Sequence, residues 1–145
     1  MKSFRFSLQR VLEWRAIQLR TEEEKLTGLQ HQLSALLIRD KELLAAMLKS
    51  EMELRIRPLI PGGEVAALTG FRHRIENQRK LLQQACARLE RDIAEQRKQL
   101  LKARRDHRVL EKLREKRRVE WMYLSDREIE NTAAEAYLAQ WVRPE

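Results

Sequence analysis

Apolar residues recur along this chain at alternating steps of three and four. Before the middle of the sequence they are Leu8, Leu12, Leu19, Leu26, Leu29, Leu33, Leu36, Leu43, Met47 and Leu54. After it the rhythm resumes with Leu68, Ile75, Leu82, Cys86, Leu89, Ile93, Leu100, Ala103 and Leu110. Such spacing keeps one stripe of a helix turned toward a partner helix. Between the tracts lies Arg57-Pro58-Leu59-Ile60-Pro61-Gly62-Gly63, whose prolines and glycines interrupt a helix. Folding the chain there brings the stripes together. Leu54 then faces Leu68, Met47 faces Ile75, Leu36 faces Cys86, Leu33 faces Leu89, Leu29 faces Ile93 and Leu12 faces Leu110. Two tracts of equal period that agree once agree throughout. The informative part is the first agreement, which puts the turn on the Pro-Gly segment.

The pattern predicts an all-α fold, a long two-helix antiparallel coiled-coil hairpin forming a single unit over residues 1–145. Helix 1 is expected over about 7–55, with Ser7 as its cap. The turn is expected over about 56–63 and helix 2 over about 64–142, ending before Pro144. At 1.5 Å per residue the helices would measure about 75 and about 115 Å. Gly28 weakens helix 1 by roughly 1 kcal/mol against alanine without ending it. Helix 2 outruns helix 1, leaving about 116–142 as an overhang. Trp121, Leu124, Ile129, Ala133, Tyr137 and Trp141 give that overhang a stripe with no helix of its own chain to cover it. An uncovered stripe with two tryptophans points to a binding surface.

Polar residues interrupt the seam. Asp40 is expected opposite Leu82 with Arg79 one layer away, so an Asp40–Arg79 ion pair would fix register. Arg15 is expected to meet His107, and Glu22 and Gln96 also fall on the seam. Scattered polar positions oppose sliding of an otherwise uniform seam. Phe71 lies off the seam, either packed under the bend or exposed for a partner.

Composition supports long helices over a sheet or a layered core: 36% of residues are charged and only 6% aromatic. The net charge of +8 is unevenly spread. Residues 1–20 hold five basic and one acidic side chain, and residues 101–120 hold nine and four. The hairpin register sets these stretches side by side as a basic end. Residues 121–145 then reverse the sign, with two basic and five acidic side chains.

Nothing in the sequence forms an active site. His31, His73 and His107 are far apart, no pair has metal-ligand spacing, and one cysteine cannot anchor zinc. Gly62-Gly63 lacks the lysine and hydroxyl residue of a phosphate loop. A thin two-helix arm offers no concave site to desolvate a reaction. The reading is therefore a non-enzyme with no catalytic residue, cofactor, metal or small-molecule substrate. Cys86 reads as a seam residue in a reducing compartment. No apolar run approaches membrane-spanning length, and Met1-Lys2-Ser3-Phe4-Arg5-Phe6 lacks the core of a secretion signal. These features predict a cytoplasmic protein.

The stretch Lys102 to Arg118, followed by Trp121 and Tyr123, allows an alternative: a basic arm binding nucleic acid. Interruption by Asp106, Glu111, Glu115 and Glu120 disfavours it. A basic end equally suits a protein partner with an acidic rim. A third possibility is a homodimeric rod in which two overhangs cover each other.

Three segments resemble one family. Phe4-Arg5-Phe6-Ser7-Leu8-Gln9-Arg10-Val11-Leu12-Glu13-Trp14-Arg15 is similar to the opening of the FliJ family of flagellar type III export proteins. Val109-Leu110-Glu111-Lys112-Leu113-Arg114-Glu115-Lys116 resembles that family's Leu-Glu-Lys-Leu-Lys-Glu segment. Glu128 to Ala136 resembles its Glu-rich C-terminal stretch, although Asn131-Thr132-Ala133 departs from it. The resemblance implies an antiparallel coiled coil acting as the central stalk of the export ATPase hexamer, promoting ring assembly. It implies that the end carrying both termini enters the ring, through Arg5, Gln9, Arg10, Arg15, Arg108, Arg114, Arg117, Arg118 and Trp121. It implies docking on the export-gate protein through Phe71, Ile75, Gln78 and Leu82, of which Gln78 and Leu82 fit the family's positions less well. Export chaperones are further implied partners. The implied location is cytoplasmic, peripherally at the inner membrane through the export apparatus. The related stalks of virulence-type injectisomes share these features, and the N-terminal motif favours the flagellar branch.

Overall fold

The computed structural model describes residues 3–142, and they form two long helices packed against each other as a hairpin. Helix α1 spans Gln9–Ile56, 48 residues, and α2 spans Gly62–Trp141, 80 residues. No strand occurs among the described residues. Helix α2 ends at Trp141, where about 142 was expected; Pro144 lies outside the described residues. The chain divides into two compact units, one of Thr21–Leu100 and one made of the residues up to Arg20 with those from Leu101 onward.

In the Thr21–Leu100 unit the seam follows the heptad phase. Leu43, Met47 and Ile75 form a buried cluster on which Leu44, Phe71 and Leu82 pack. Cys86, Ile93 and Leu100 are also buried, while Leu29, Leu33, Leu36, Leu54, Leu68 and Leu89 are half-buried. Ile75 is the most enclosed of them at 3% exposed. A two-helix seam is covered from two sides only, which is why most of its leucines stay partly wet. Arg79 grips Asp40 with two guanidinium bonds, at 2.8 and 3.3 Å. Gln96 donates to both the carboxylate and the backbone carbonyl of Glu22, the latter at 3.2 Å. Arg72 reaches Glu51 at 3.4 Å. Each of these contacts is lost if one helix slips by a turn.

The bend is shorter than expected. Only Arg57–Pro61 leave the helical state, and Gly62 and Gly63 open α2 instead of completing the turn. Glycine is tolerated at the start of a helix, where its backbone is less confined than in the interior. Neither glycine adopts a positive φ. The Pro61 carbonyl accepts from Glu64 N at 3.0 Å and Val65 N at 3.3 Å, fixing the start of α2. Arg57 N donates to the Leu54 carbonyl at 3.3 Å, and the Arg57 side chain pairs with Glu64 across the bend.

In the second unit Leu12 is buried and Leu19, Ala103, Leu110 and Leu113 are half-buried, while Leu8 stands exposed. Helix α1 starts at Gln9, two residues after Ser7, which lies in a turn with Leu8. The Phe6 carbonyl accepts from Gln9 N at 3.1 Å and the Leu8 carbonyl from Leu12 N at 2.9 Å. Arg15 bonds Asp106 at 3.0 Å, not the expected His107, which instead faces Glu111 on its own helix at 3.6 Å. Arginine's long side chain reaches past its own layer to the nearest carboxylate, so charge overrides the layer count.

The overhang is also less bare than expected at its start. The irregular segment before α1 lies along it: Phe4 and Phe6 are half-buried, and the Phe4 ring sits 6.0 Å from that of Trp121. One turn on, Ser125 is 7% exposed. Every described residue from Asp126 onward is exposed.

Candidate protein-interaction surfaces

The unit holding both ends of the chain gathers the basic residues singled out in the sequence. Arg5, Arg10, Arg108, Arg114 and Arg118 are all exposed. Arg108 and Arg114 line a shallow groove with Leu12, Glu111, Lys112 and Glu115. Other expected members are already engaged. Arg15 is half-buried, bonded to Asp106 and laid over the Trp14 ring at 4.8 Å. Arg117 pairs with Glu120 at 3.3 Å, and the Gln9 amide donates to Glu13 at 3.2 Å. Trp121 has Phe4 against it and is only half exposed to a partner. The accessible positive set is therefore narrower than the sequence suggested: of the expected arginines it keeps Arg5, Arg10, Arg108, Arg114 and Arg118.

Beyond Ser125 the helix presents Ile129, Tyr137, Leu138 and Trp141 to solvent. Tyr137 and Trp141 are neighbours one turn apart, their rings 6.1 Å between centroids. Glu128, Glu130 and Glu135 lie among them. Acidic side chains around exposed rings suit a partner with apolar sockets and a basic rim.

The second expected surface, Phe71, Ile75, Gln78 and Leu82, is mostly interior. Ile75 is sealed in the seam, and Phe71 and Leu82 pack against its cluster. Only Gln78 is exposed. Phe71 shows one edge to a groove beside the bend, lined also by Leu54, Arg57, Glu64 and Leu68. Phe71 is half-buried and does both: it packs on the Ile75 cluster and also lines that groove. Sequence reasoning missed the aliphatic side chains at the bend itself, where Ile56 and Leu59 project into solvent. They were read only as part of a helix break, although Pro-Leu-Ile-Pro carries no polar side chain.

The charged seam residues are shifted by their partners. Hydrogen bonds from Arg79 hold the Asp40 carboxyl below its ordinary value and raise Arg79 in turn. The Gln96 amide, with help from Lys25, holds Glu22 below its ordinary value against the opposing effect of burial. These contacts join α1 to α2 and set their register. Among the described residues no group of His, Cys, Asp and Glu could hold a metal ion, and no helix is long and apolar enough to cross a membrane. No protein-family model, curated protein or solved structure matches the chain.

Proposed function

We propose that this chain is a non-enzymatic stalk of the FliJ type, an adaptor for the ATPase of a flagellar type III protein export apparatus. The observation that carries the reading is the exposed group Arg10, Arg108, Arg114 and Arg118 in the unit holding both chain ends. In the unit holding both chain ends, two packed helices would be the part that enters the lumen of a hexameric ring. A positive end would be drawn to an acidic ring mouth and oriented by it, an attraction that weakens as salt rises. The exposed acidic-aromatic stretch after Ser125 offers a second contact, to the ring or to an export chaperone. Contact with an export-gate protein falls to Gln78 and the exposed edge of Phe71, since Ile75 and Leu82 support the flank from inside.

The test is a charge-reversed chain carrying Arg10→Glu, Arg108→Glu and Arg114→Glu. Stimulation of the export ATPase should fall severalfold while helix content by circular dichroism is kept. Full stimulation by that variant removes the proposed role of the basic end. A gel-shift titration at two salt concentrations addresses the competing nucleic-acid reading. That reading requires binding that steepens as salt falls and weakens with each arginine removed.

A further inference from the structure

The bend displays aliphatic side chains that the fold does not use. Leu59 is 88% exposed and Ile56 79% exposed, and Met52 and Val65 are exposed near them. Ile60 sits at the mouth of a groove with Leu54, Val65 and Leu68. Burying such groups elsewhere is favourable in proportion to the area removed from water.

We propose that this tip inserts into the interfacial layer of an anionic lipid bilayer. Three features of the bend fit lipid better than a protein socket. First, its prolines remove donors from the bend. Pro58 and Pro61 have no N–H, Arg57 N is bonded to Leu54, and Glu64 N and Val65 N are bonded to Pro61, which leaves the N–H groups of Leu59, Ile60, Gly62 and Gly63 to the polar headgroup layer. An apolar phase penalises each unsatisfied N–H, so a proline-bracketed loop enters the interface at lower cost than a loop without prolines. Second, the exposed payload is aliphatic and convex. Protein hot spots favour tryptophan, tyrosine and arginine seated in pockets, and neither Ile56 nor Leu59 is of that kind. Third, basic residues stand behind the tip at headgroup depth. Arg55 adjoins Ile56, Lys49 lies about 10 Å back along α1, and Arg74 lies about 18 Å along α2. Of the nearby carboxylates, Glu64 is paired with Arg57 and Glu51 with Arg72, leaving Glu53. Positive side chains a short distance behind an apolar tip are drawn to anionic headgroups as the tip enters the acyl boundary. The proposal does not depend on the stalk reading.

The test must separate insertion of the tip from adsorption through the basic residues elsewhere. Cys86 is the chain's one cysteine, so a Cys86→Ala background accepts a single label. An environment-sensitive fluorophore is attached at Leu59→Cys in one sample and at exposed Lys98→Cys in another. Both are mixed with phosphatidylcholine vesicles with and without phosphatidylglycerol. The label at position 59 should shift to the blue and brighten severalfold with phosphatidylglycerol, and be quenched by shallow brominated lipid, while the label at 98 does not respond. Ile56→Ser with Leu59→Ser, both at exposed sites, should weaken vesicle co-sedimentation of the full chain about tenfold. Any of three results overturns the proposal. The chain fails to sediment with anionic vesicles, it sediments while position 59 stays in water, or the serine variant sediments as well as the parent. The last two would leave protein docking as the use of the tip.

Discussion

Residues 75 to 100 of α2 and residues 126 to 141 of the same helix both carry apolar side chains, and they are treated in opposite ways. In the first stretch Ile75, Cys86, Ile93 and Leu100 are buried against α1. In the second Ile129, Tyr137 and Trp141 are all open to solvent, Trp141 at 75%. Hydrophobicity of the residue does not decide the difference, since the bulkiest side chains are the bare ones. A facing helix decides it. Burial in this chain measures the presence of a partner, and the bare stretch is where one is wanting.

That contrast can be broken from the buried side first. Ile75→Ala should lower the stability of the chain by about 2–4 kcal/mol, read by chemical denaturation, because it removes the best-enclosed side chain of the seam. Ile129→Ala should change it by less than about 0.5 kcal/mol. Equal losses would mean that the two stretches do not differ in the way described. Acid should then act on the seam through Asp40 and Glu22. Asp40 and Glu22 have ordinary values of 3.8 and 4.5 and are both lowered in the fold. A lowered carboxyl stabilises the fold at all pH values above its ordinary value, and that contribution is lost as pH falls through the lowered one. Helix content at a fixed denaturant concentration should decline below about pH 4.5. Asp40→Asn with Glu22→Gln should flatten that decline.

Two smaller changes sharpen the comparison. Gly28→Ala should raise stability by about 1 kcal/mol, since an added Cβ meets nothing within 4 Å and the residue is helical. A loss would show that Gly28 is needed for something other than helix. Phe4→Ala should cost about 1 kcal/mol and open Trp121 to quenching. It is best read by acrylamide in a chain whose Trp14 and Trp141 are replaced by phenylalanine. Unaltered quenching would remove the cover assigned to the N-terminal segment. Smallest of all, ending the chain after Asp126 should leave the unfolding free energy within about 0.5 kcal/mol of the parent, because every described residue beyond it is exposed.

The seam was legible because a helix repeats. Once Met47 was set against Ile75, the period placed Leu33 and Ile93 on the inner face, where both lie at least half-buried. Asp40–Arg79 was readable as opposite charges one layer apart. What escaped depends on side-chain reach and on irregular backbone. Arg15 chose Asp106 over the residue in its own layer, and periodicity carries no information on such a choice. The cover over Trp121 comes from residues before α1, which have no repeat to extrapolate. Gly62 and Gly63 read as breakers, yet the Pro61 carbonyl makes them a helix start. The basic end was visible as composition, but which of its arginines remain free was set by carboxylates nearby, as at Arg117 and Glu120.

Cys86 lies between the helices as the chain's one thiol, buried and free. It is 9% exposed, so an alkylating reagent reacts faster when the helices part, and its rate of modification reports how often they do. A partner that clamps the hairpin should slow that reaction, and one that pries it apart should hasten it. The chain thus comes with a built-in gauge of its own breathing, readable by mass without any added probe.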